Sequence, residues 1–206
     1  MSEFRTSNVT AVLLAAGAGT RLGLGPKALL PFRGRTLVEV LAEVLLNGGC
    51  SEVVAVLGAE AEQVLASTSL GRAEQRGVRA VVNPEWNSGM AGSFLLGVEK
   101  ASPGDHILVT LVDQPGLTAD LVRRLLAAHL PGRATAAGYR GVSGKLRRGH
   151  PLLLDASLRA PASETAAGDS GVRLFLQANP ELVDLVDCGY EGGEDIDTRD
   201  LMHLLD

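Results

Sequence analysis

The stretch VLLAAGAGTRLG at residues 12–23, followed closely by Lys27, decides the fold of this chain. Its apolar first half is typical of a buried parallel strand, and its second half is a glycine-rich loop that carries Arg21. Glycines let backbone N–H groups approach an anion closely, and the two cations add charge-assisted hydrogen bonds. The loop therefore predicts a binding site for a polyphosphate.

Several kinds of loop can be compared with this stretch. A Walker loop needs Ser or Thr after its lysine, whereas Lys27 is followed by Ala28. A Rossmann dinucleotide loop needs a third glycine where this chain has Leu22. The nucleotidyltransferase signature L-A-A-G-x-x-x-R-x-G…K fits from Leu14 to Lys27. An ordinary strand-to-helix turn with solvated basic residues is the simplest alternative.

Composition and charge limit the classes of function. The 206 residues predict one α/β domain over 1–206 with a polar lead-in at 1–8, and 46% hydrophobic but only 3% aromatic residues predict an aliphatic core. The net charge of −5 argues against nucleic acid or an anionic membrane as the main partner. No signal segment or bilayer-spanning stretch is recognisable, so we expect a cytoplasmic protein. Neither the two cysteines nor the four histidines show metal-ligand spacing along the sequence.

Strand-like and helix-like segments alternate along the chain, which predicts a mainly parallel sheet covered by helices. The predicted strands are Val9–Ala15, Val53–Leu57, Val78–Val82, His106–Leu111 and Leu182–Val186. The predicted helices are Thr36–Leu46, Ala59–Ser67, Ser93–Lys100, Thr118–His129, Ser170–Gln177 and Thr198–Leu205. The basic, glycine-rich region Ala134–Asp155 predicts an antiparallel hairpin that extends the sheet.

Two acidic segments are candidates for metal binding. Asp113 lies in the segment that directly follows a predicted buried strand, where a carboxylate can hold a divalent cation, although a turn or helix-cap role is the common alternative. Asp195 and Asp197 lie two residues apart and point to the same side of an extended segment. A second carboxylate from this segment, placed near Asp113, would complete a site for a hard cation. Capping of the following helix is the alternative for either residue, and it is the preferred interpretation of Asp195.

Polar loops supply the remaining candidates. The long loop at 83–93 can surround a nucleoside, with Asn83 reading a base edge and Ser93 near a phosphate, or it can be a packed connection plugged by Trp86. The segments at 145–151 and 168–173 suit a second, anionic substrate, although short basic runs are more often solvated surface.

Six motifs occur in order along nearly the whole chain. After the loop signature come N-P-x-W-x-x-G-M from residue 83, D-Q-P from 113, G-H-P from 149, G-D-x-G-x-R from 168 and D-I-D-T from 195. This series resembles the MobA/MocA-like NTP transferases, and most closely the MocA-like molybdenum cofactor cytidylyltransferases. The resemblance implies a Rossmann-like nucleotidyltransferase fold with helices on both sheet faces, and a Mg²⁺-dependent reaction.

The resemblance also implies a role for each candidate residue. The implied nucleotide-binding residues are Leu14, Ala15, Ala16, Gly17, Gly19, Arg21, Lys27, Asn83 and Ser93. The implied metal ligands are Asp113 and Asp197, the implied catalytic residues are Arg21, Lys27 and Asp113, and the implied acceptor-side residues are His150, Asp169 and Arg173. Relatives that transfer GMP tend to have glycine at the position of Ala16, so alanine there favours CTP over GTP. One extra residue precedes Lys27 compared with most MocA-like chains.

The implied reaction transfers CMP, or less favourably GMP, from an NTP to a phosphorylated acceptor such as molybdopterin cofactor, and releases pyrophosphate. The family also includes an FMN-containing NAD(P)H–quinone reductase, so an FMN phosphate in the same loop, NADH or NADPH as donor and a quinone substrate form the alternative. A non-catalytic nucleotide-binding maturation protein is a third interpretation. We expect a monomer or a small homo-oligomer.

Overall fold

The computed structural model describes residues 8–72, 77–141, 143–189 and 193–205; most of the predicted lead-in, residues 1–7, lies outside these ranges. Seven strands form the main sheet and two short ones form a separate ladder. The main strands are β1 (Val9–Ala15), β4 (Glu52–Leu57), β5 (Val78–Val82), β6 (His106–Leu111), β7 (Ala134–Arg140), β8 (Leu146–Leu154) and β9 (Val183–Asp187). The antiparallel pair is β2 (Pro31–Phe32) with β3 (Arg35–Thr36).

Six α-helices and several short 3₁₀ turns connect these strands within the described ranges. The helices are α1 (Leu37–Asn47), α2 (Ala61–Ser67), α3 (Met90–Lys100), α4 (Ala119–Ala128), α5 (Arg159–Thr165) and α6 (Arg173–Ala178). Among them, no helix is both long and apolar enough to cross a bilayer.

The main sheet has the order β5-β4-β1-β6-β8-β7-β9. All neighbours pair in parallel except β8, which runs antiparallel to both β6 and β7. β7 and β8 form the predicted hairpin, and β8 lies between β7 and β6 in the sheet. The predicted α/β class, with a mainly parallel sheet and a small antiparallel extension, is confirmed.

Both faces of the sheet are covered, because side chains along a strand alternate between them. Ala11 and Leu13 of β1 face a core that includes residues of α1, α2 and α4. Val12 and Leu14 face a second core that includes residues of α3, α5 and α6. The aliphatic core predicted from the composition therefore consists of two layers, one on each face of the sheet.

Several boundaries differ from the predictions. α3 begins at Met90 rather than Ser93, because Gly89, with a φ of +116°, turns the chain into the helix earlier. α6 begins at Arg173 rather than Ser170, since residues 168–170 form a separate 3₁₀ turn. α5 was not predicted, and the predicted closing helix is a 3₁₀ helix over Arg199–Leu205.

Candidate functional site

The glycine-rich loop leaves the carboxyl end of β1 at the centre of the sheet. Gly19 has a φ of +62°, and a Cβ there would lie 2.2 Å from the carbonyl oxygen of Gly25, so only glycine fits. The N–H groups of Leu22 and Gly23 donate to the Gly19 carbonyl, which fixes the loop. The N–H groups of residues 17–21 have no main-chain acceptor within the described ranges. The loop therefore presents fixed, unused donors of the kind that bind phosphate.

Lys27 links the two aspartates that the motifs single out. Its Nζ donates to Asp113 Oδ2 at 2.8 Å and to Asp197 Oδ1 at 2.6 Å. Arg21 Nη1 lies 3.3 Å from Asp197 Oδ2, and its side chain is 79% exposed. Four predicted site residues from three distant parts of the sequence thus lie together in one cluster of two cations and two anions.

The protonation of this cluster follows from its contacts. Burial by itself lowers the pKa of Lys27, but hydrogen bonds to Asp113 and Asp197 outweigh it and raise the pKa. The hydrogen bond from Lys27 holds the pKa of Asp197 below its ordinary value. Burial, followed by the nearby charge of Asp113, raises the pKa of Asp195. Asp195 accepts a hydrogen bond from Gln114 Nε2 at 2.8 Å, so it anchors the segment that carries Asp197 instead of serving as the predicted cap.

The residues present suit a hard divalent cation. Oδ1 of Asp113 is buried and has no hydrogen-bond partner among the described residues. An unpaired buried carboxylate oxygen is costly unless a ligand satisfies it. Carboxylate oxygens are the donors that Mg²⁺ prefers, together with substrate phosphates. Asp113 and Asp197 are therefore the residues that would hold Mg²⁺.

A cavity of about 470 Å³ opens beside this cluster. The glycine loop, the cluster and the start of α3 line it, and Trp86 forms part of its wall. Trp86 packs closely on Gly58, where a Cβ would lie 2.4 Å from the Trp86 Cβ. Ser93 lines the cavity, whereas Asn83 does not. The Asn83 side chain is held within the protein, donating to Ser93 Oγ at 3.0 Å and accepting from the Glu85 N–H at 3.0 Å.

A second cavity of about 250 Å³ adjoins the first. The three predicted acceptor-side residues, His150, Asp169 and Arg173, all line it, as does Arg148. Burial lowers the pKa of His150 to about 4, so its imidazole is neutral at pH 7. Three residues line both cavities, namely Leu14, Met90 and Asp169. A ligand in the first cavity can therefore reach a ligand in the second.

Sequence reasoning missed the apolar walls of the second cavity. Phe94, Val109, Leu152 and Leu176 line it, but in the sequence they have the periodicity of ordinary core residues. Met90 is the last residue of the motif that begins at Asn83, and this motif was the one sequence feature that pointed to an apolar residue of this cavity. Of the remaining predicted nucleotide residues, Leu14, Ala16, Gly17 and Gly19 line the first cavity and Ala15 is buried in the last position of β1.

Fold and site together describe an α/β protein with a glycine-rich loop after its first strand, paired aspartates and an adjoining second pocket. The family model described as the MobA-like NTP transferase domain matches residues 11–183. The chain belongs to this family of MobA-like NTP transferases.

Individual relatives carry different functional names. The chain is 55% identical to a nicotine blue oxidoreductase of Paenarthrobacter nicotinovorans over 96% of both chains. It is 30% identical to a molybdenum cofactor guanylyltransferase of Xanthomonas euvesicatoria over 80% of this chain and 74% of the relative. A solved nucleotidyl transferase from Methanothermobacter superposes with a TM-score of 0.77 at 25% identity over 96% of both chains. The names of these three proteins thus include one oxidoreductase and two transferases.

Proposed function

We propose that the chain is a Mg²⁺-dependent nucleotidyltransferase that moves a nucleoside monophosphate, CMP by preference, from an NTP to a phosphorylated acceptor. The observation that carries the proposal is the cluster of Lys27, Asp113 and Asp197 beside the free N–H groups of the glycine loop. Mg²⁺ held by the two aspartates would neutralise phosphate charge. The preference for CMP rests on Ala16 and on the resemblance alone.

The chain's own residues account for the rest of the reaction. The loop N–H groups, Arg21 and Lys27 bind the triphosphate and stabilise the charge that builds on the leaving pyrophosphate. An acceptor phosphate oxygen forms a bond to the α-phosphorus, and the bond from that phosphorus to the pyrophosphate oxygen breaks. Arg148 and Arg173 attract the anionic acceptor into the second cavity, where His150 stays neutral. Positioning and electrostatics suffice, so no covalent nucleophile is required.

Substitution of Asp113 tests the proposal directly. We expect Asp113→Ala to lose at least about 100-fold in the rate of Mg²⁺-dependent pyrophosphate release from CTP with acceptor, the scale for losing one electrostatic stabiliser. Asp200→Ala, on the outer 3₁₀ helix, is the matched control and should retain the rate. An Asp113→Ala rate within a few-fold of the unsubstituted protein would refute the metal-site assignment.

A second function is favoured by one observation, the 55% identity to a nicotine blue oxidoreductase over nearly the full length of both proteins. The support for a reductase comes mainly from this sequence similarity, and the geometry of the site adds less to it. Under this proposal the loop at Gly17–Arg21 binds the phosphate of FMN, and NADH or NADPH reduces a quinone in the adjoining cavity. The apolar walls formed by Phe94 and Leu152 suit a flat ring.

One spectrum separates the two functions. Freshly purified protein is scanned in the visible range with and without added FMN, and then NADH or NADPH is added. A bound flavin band that bleaches, followed by reoxidation with a quinone, establishes the reductase. A colourless protein that ignores FMN but binds CTP in the presence of Mg²⁺ supports the transferase. Binding of CTP without turnover over a panel of phosphorylated acceptors favours a maturation protein.

A further inference from the structure

A second cluster of polar side chains lies at the edge of the sheet opposite the glycine loop. His106 begins β6, His129 directly follows α4, and Asp155 directly follows β8. Because β8 is antiparallel to β6, its end meets the beginning of that strand. Asp113 lies seven residues further along the chain than His106, a distance of roughly 20 Å at the rise of a strand. The cluster is therefore separate from the candidate active site.

The two imidazoles each bring one nitrogen close to the same carboxylate oxygen of Asp155. His106 Nδ1 accepts a hydrogen bond from the Ala156 N–H at 2.9 Å, so it carries no hydrogen, and it lies 3.5 Å from Asp155 Oδ2. His129 Nε2 lies 3.4 Å from the same oxygen. It is buried without a hydrogen-bond partner among the described residues, and the His129 side chain is only 9% exposed.

We propose that His106, His129 and Asp155 form a binding site for a divalent transition metal of the zinc type. Tetrahedral zinc with nitrogen and oxygen ligands places neighbouring ligand atoms about 3.3–3.5 Å apart. The two measured N···O distances, 3.5 and 3.4 Å, match this spacing, and all three ligand atoms lie within 4.8 Å of one another. Imidazole ligands favour zinc over Mg²⁺ or Ca²⁺. On binding, the metal replaces the Ala156 N–H as the partner of His106.

Neighbouring groups already orient these ligands. Asp155 Oδ1 accepts from the Ser157 N–H at 2.9 Å and from its hydroxyl at 2.6 Å, which orients the carboxylate with Oδ2 facing the two imidazoles. His129 Nδ1 lies 3.2 Å from Thr135 Oγ1, which turns Nε2 towards Asp155. Outer contacts of this kind fix ligand geometry in metal sites. The three ligands come from the start of β6, the end of α4 and the end of β8, so a bound metal would cross-link these elements and keep its fourth coordination position for water.

Metal titration of the full-length protein tests the proposal. Protein stripped with EDTA is titrated with ZnCl₂ by calorimetry in excess Mg²⁺, which occupies the carboxylates near Lys27. Thermal unfolding and the visible spectrum of the Co²⁺ form are recorded in parallel. We expect one equivalent of zinc to bind and to raise the Tm with increasing zinc concentration, and Co²⁺ to give intense tetrahedral absorption bands.

Two ligand variants and one control decide the outcome. Asp155→Asn keeps an oxygen that accepts from Ser157, and His129→Gln removes the unpaired nitrogen; each should weaken zinc binding at least about 100-fold. His203→Gln, an exposed histidine, should bind zinc as the unsubstituted protein does. Absence of zinc binding, or equal affinity in Asp155→Asn, would overturn the proposal. If His129→Gln does not fold, Asp155→Asn alone gives the answer.

Discussion

Replacement of Lys27 by methionine removes the ammonium group that joins Asp113 and Asp197 while nearly preserving side-chain volume. Loss of one partner from a fully buried ion pair costs about 3–5 kcal/mol, and loss of an exposed pair costs about 1 kcal/mol or less. The Lys27 and Asp113 side chains are 13% and 20% exposed, but Asp197 is 41% exposed and can turn to water. An intermediate cost of about 2 kcal/mol is therefore expected, or a Tm lower by roughly 4–8 °C.

The same substitution should strengthen Mg²⁺ binding, because the ammonium group and the cation compete for the same two carboxylates. Thermal unfolding at several Mg²⁺ concentrations should show a larger rise of the Tm for Lys27→Met than for the unsubstituted protein. Lys100→Met is the control, since among the described residues Lys100 pairs only with the exposed Glu99. Equal Mg²⁺ responses in all three proteins would refute the placement of the cation between Asp113 and Asp197.

Three further predictions concern stability. Gly97→Ala places a Cβ 2.3 Å from Val12 Cγ1. Overpacking should lower the free energy of unfolding by about 1–3 kcal/mol, which should exceed the gain of about 1 kcal/mol from the higher helix propensity of alanine. An unchanged urea midpoint would contradict this. Burial alone would raise the pKa of Glu39, but hydrogen bonds from Thr36 and other groups lower it to about 2. Its stabilising contribution is thus complete above its ordinary pKa of 4.5, so the cost of Glu39→Gln, about 1 kcal/mol at pH 7, should shrink as the pH falls from 4.5 towards 2. Burial lowers the pKa of His150 to about 4, so between pH 6.5 and 4 the unfolded chain binds a proton at this imidazole whereas the folded protein does not. Acidification from pH 6.5 to 4 should therefore destabilise the unsubstituted protein more than His150→Gln, by no more than about 3 kcal/mol, in Tm measurements across that range.

The sequence predicted those elements whose signals are local. The strands β1, β5 and β6 have the predicted bounds, because each is a short apolar run between turn residues. Thr118, the first residue of the predicted helix, caps α4, with its hydroxyl accepting from the Leu121 N–H at 3.2 Å. The helix α5 was missed because its seven residues include Pro161 and lack a strong apolar periodicity.

Contacts between distant segments were less accessible to sequence reasoning. The motifs brought Asp113 and Asp197 together correctly, but nothing in them showed that Lys27 lies between the two carboxylates. Asn83 was expected to read a base, yet its amide is used within the fold, so that role stays a prediction. The cluster of His106, His129 and Asp155 could not be predicted from the sequence, because its residues come together only when β8 pairs with β6.

The shared boundary of the two cavities has an evolutionary consequence. Met90, at the first position of α3, lines both cavities and is 36% exposed, and methionine adapts its shape more readily than branched side chains do. A mutation at this one position reshapes both ligand spaces while the sheet, the glycine loop and the paired aspartates stay unchanged. New chemistry can therefore arise on this scaffold through a few substitutions at the boundary between the two cavities.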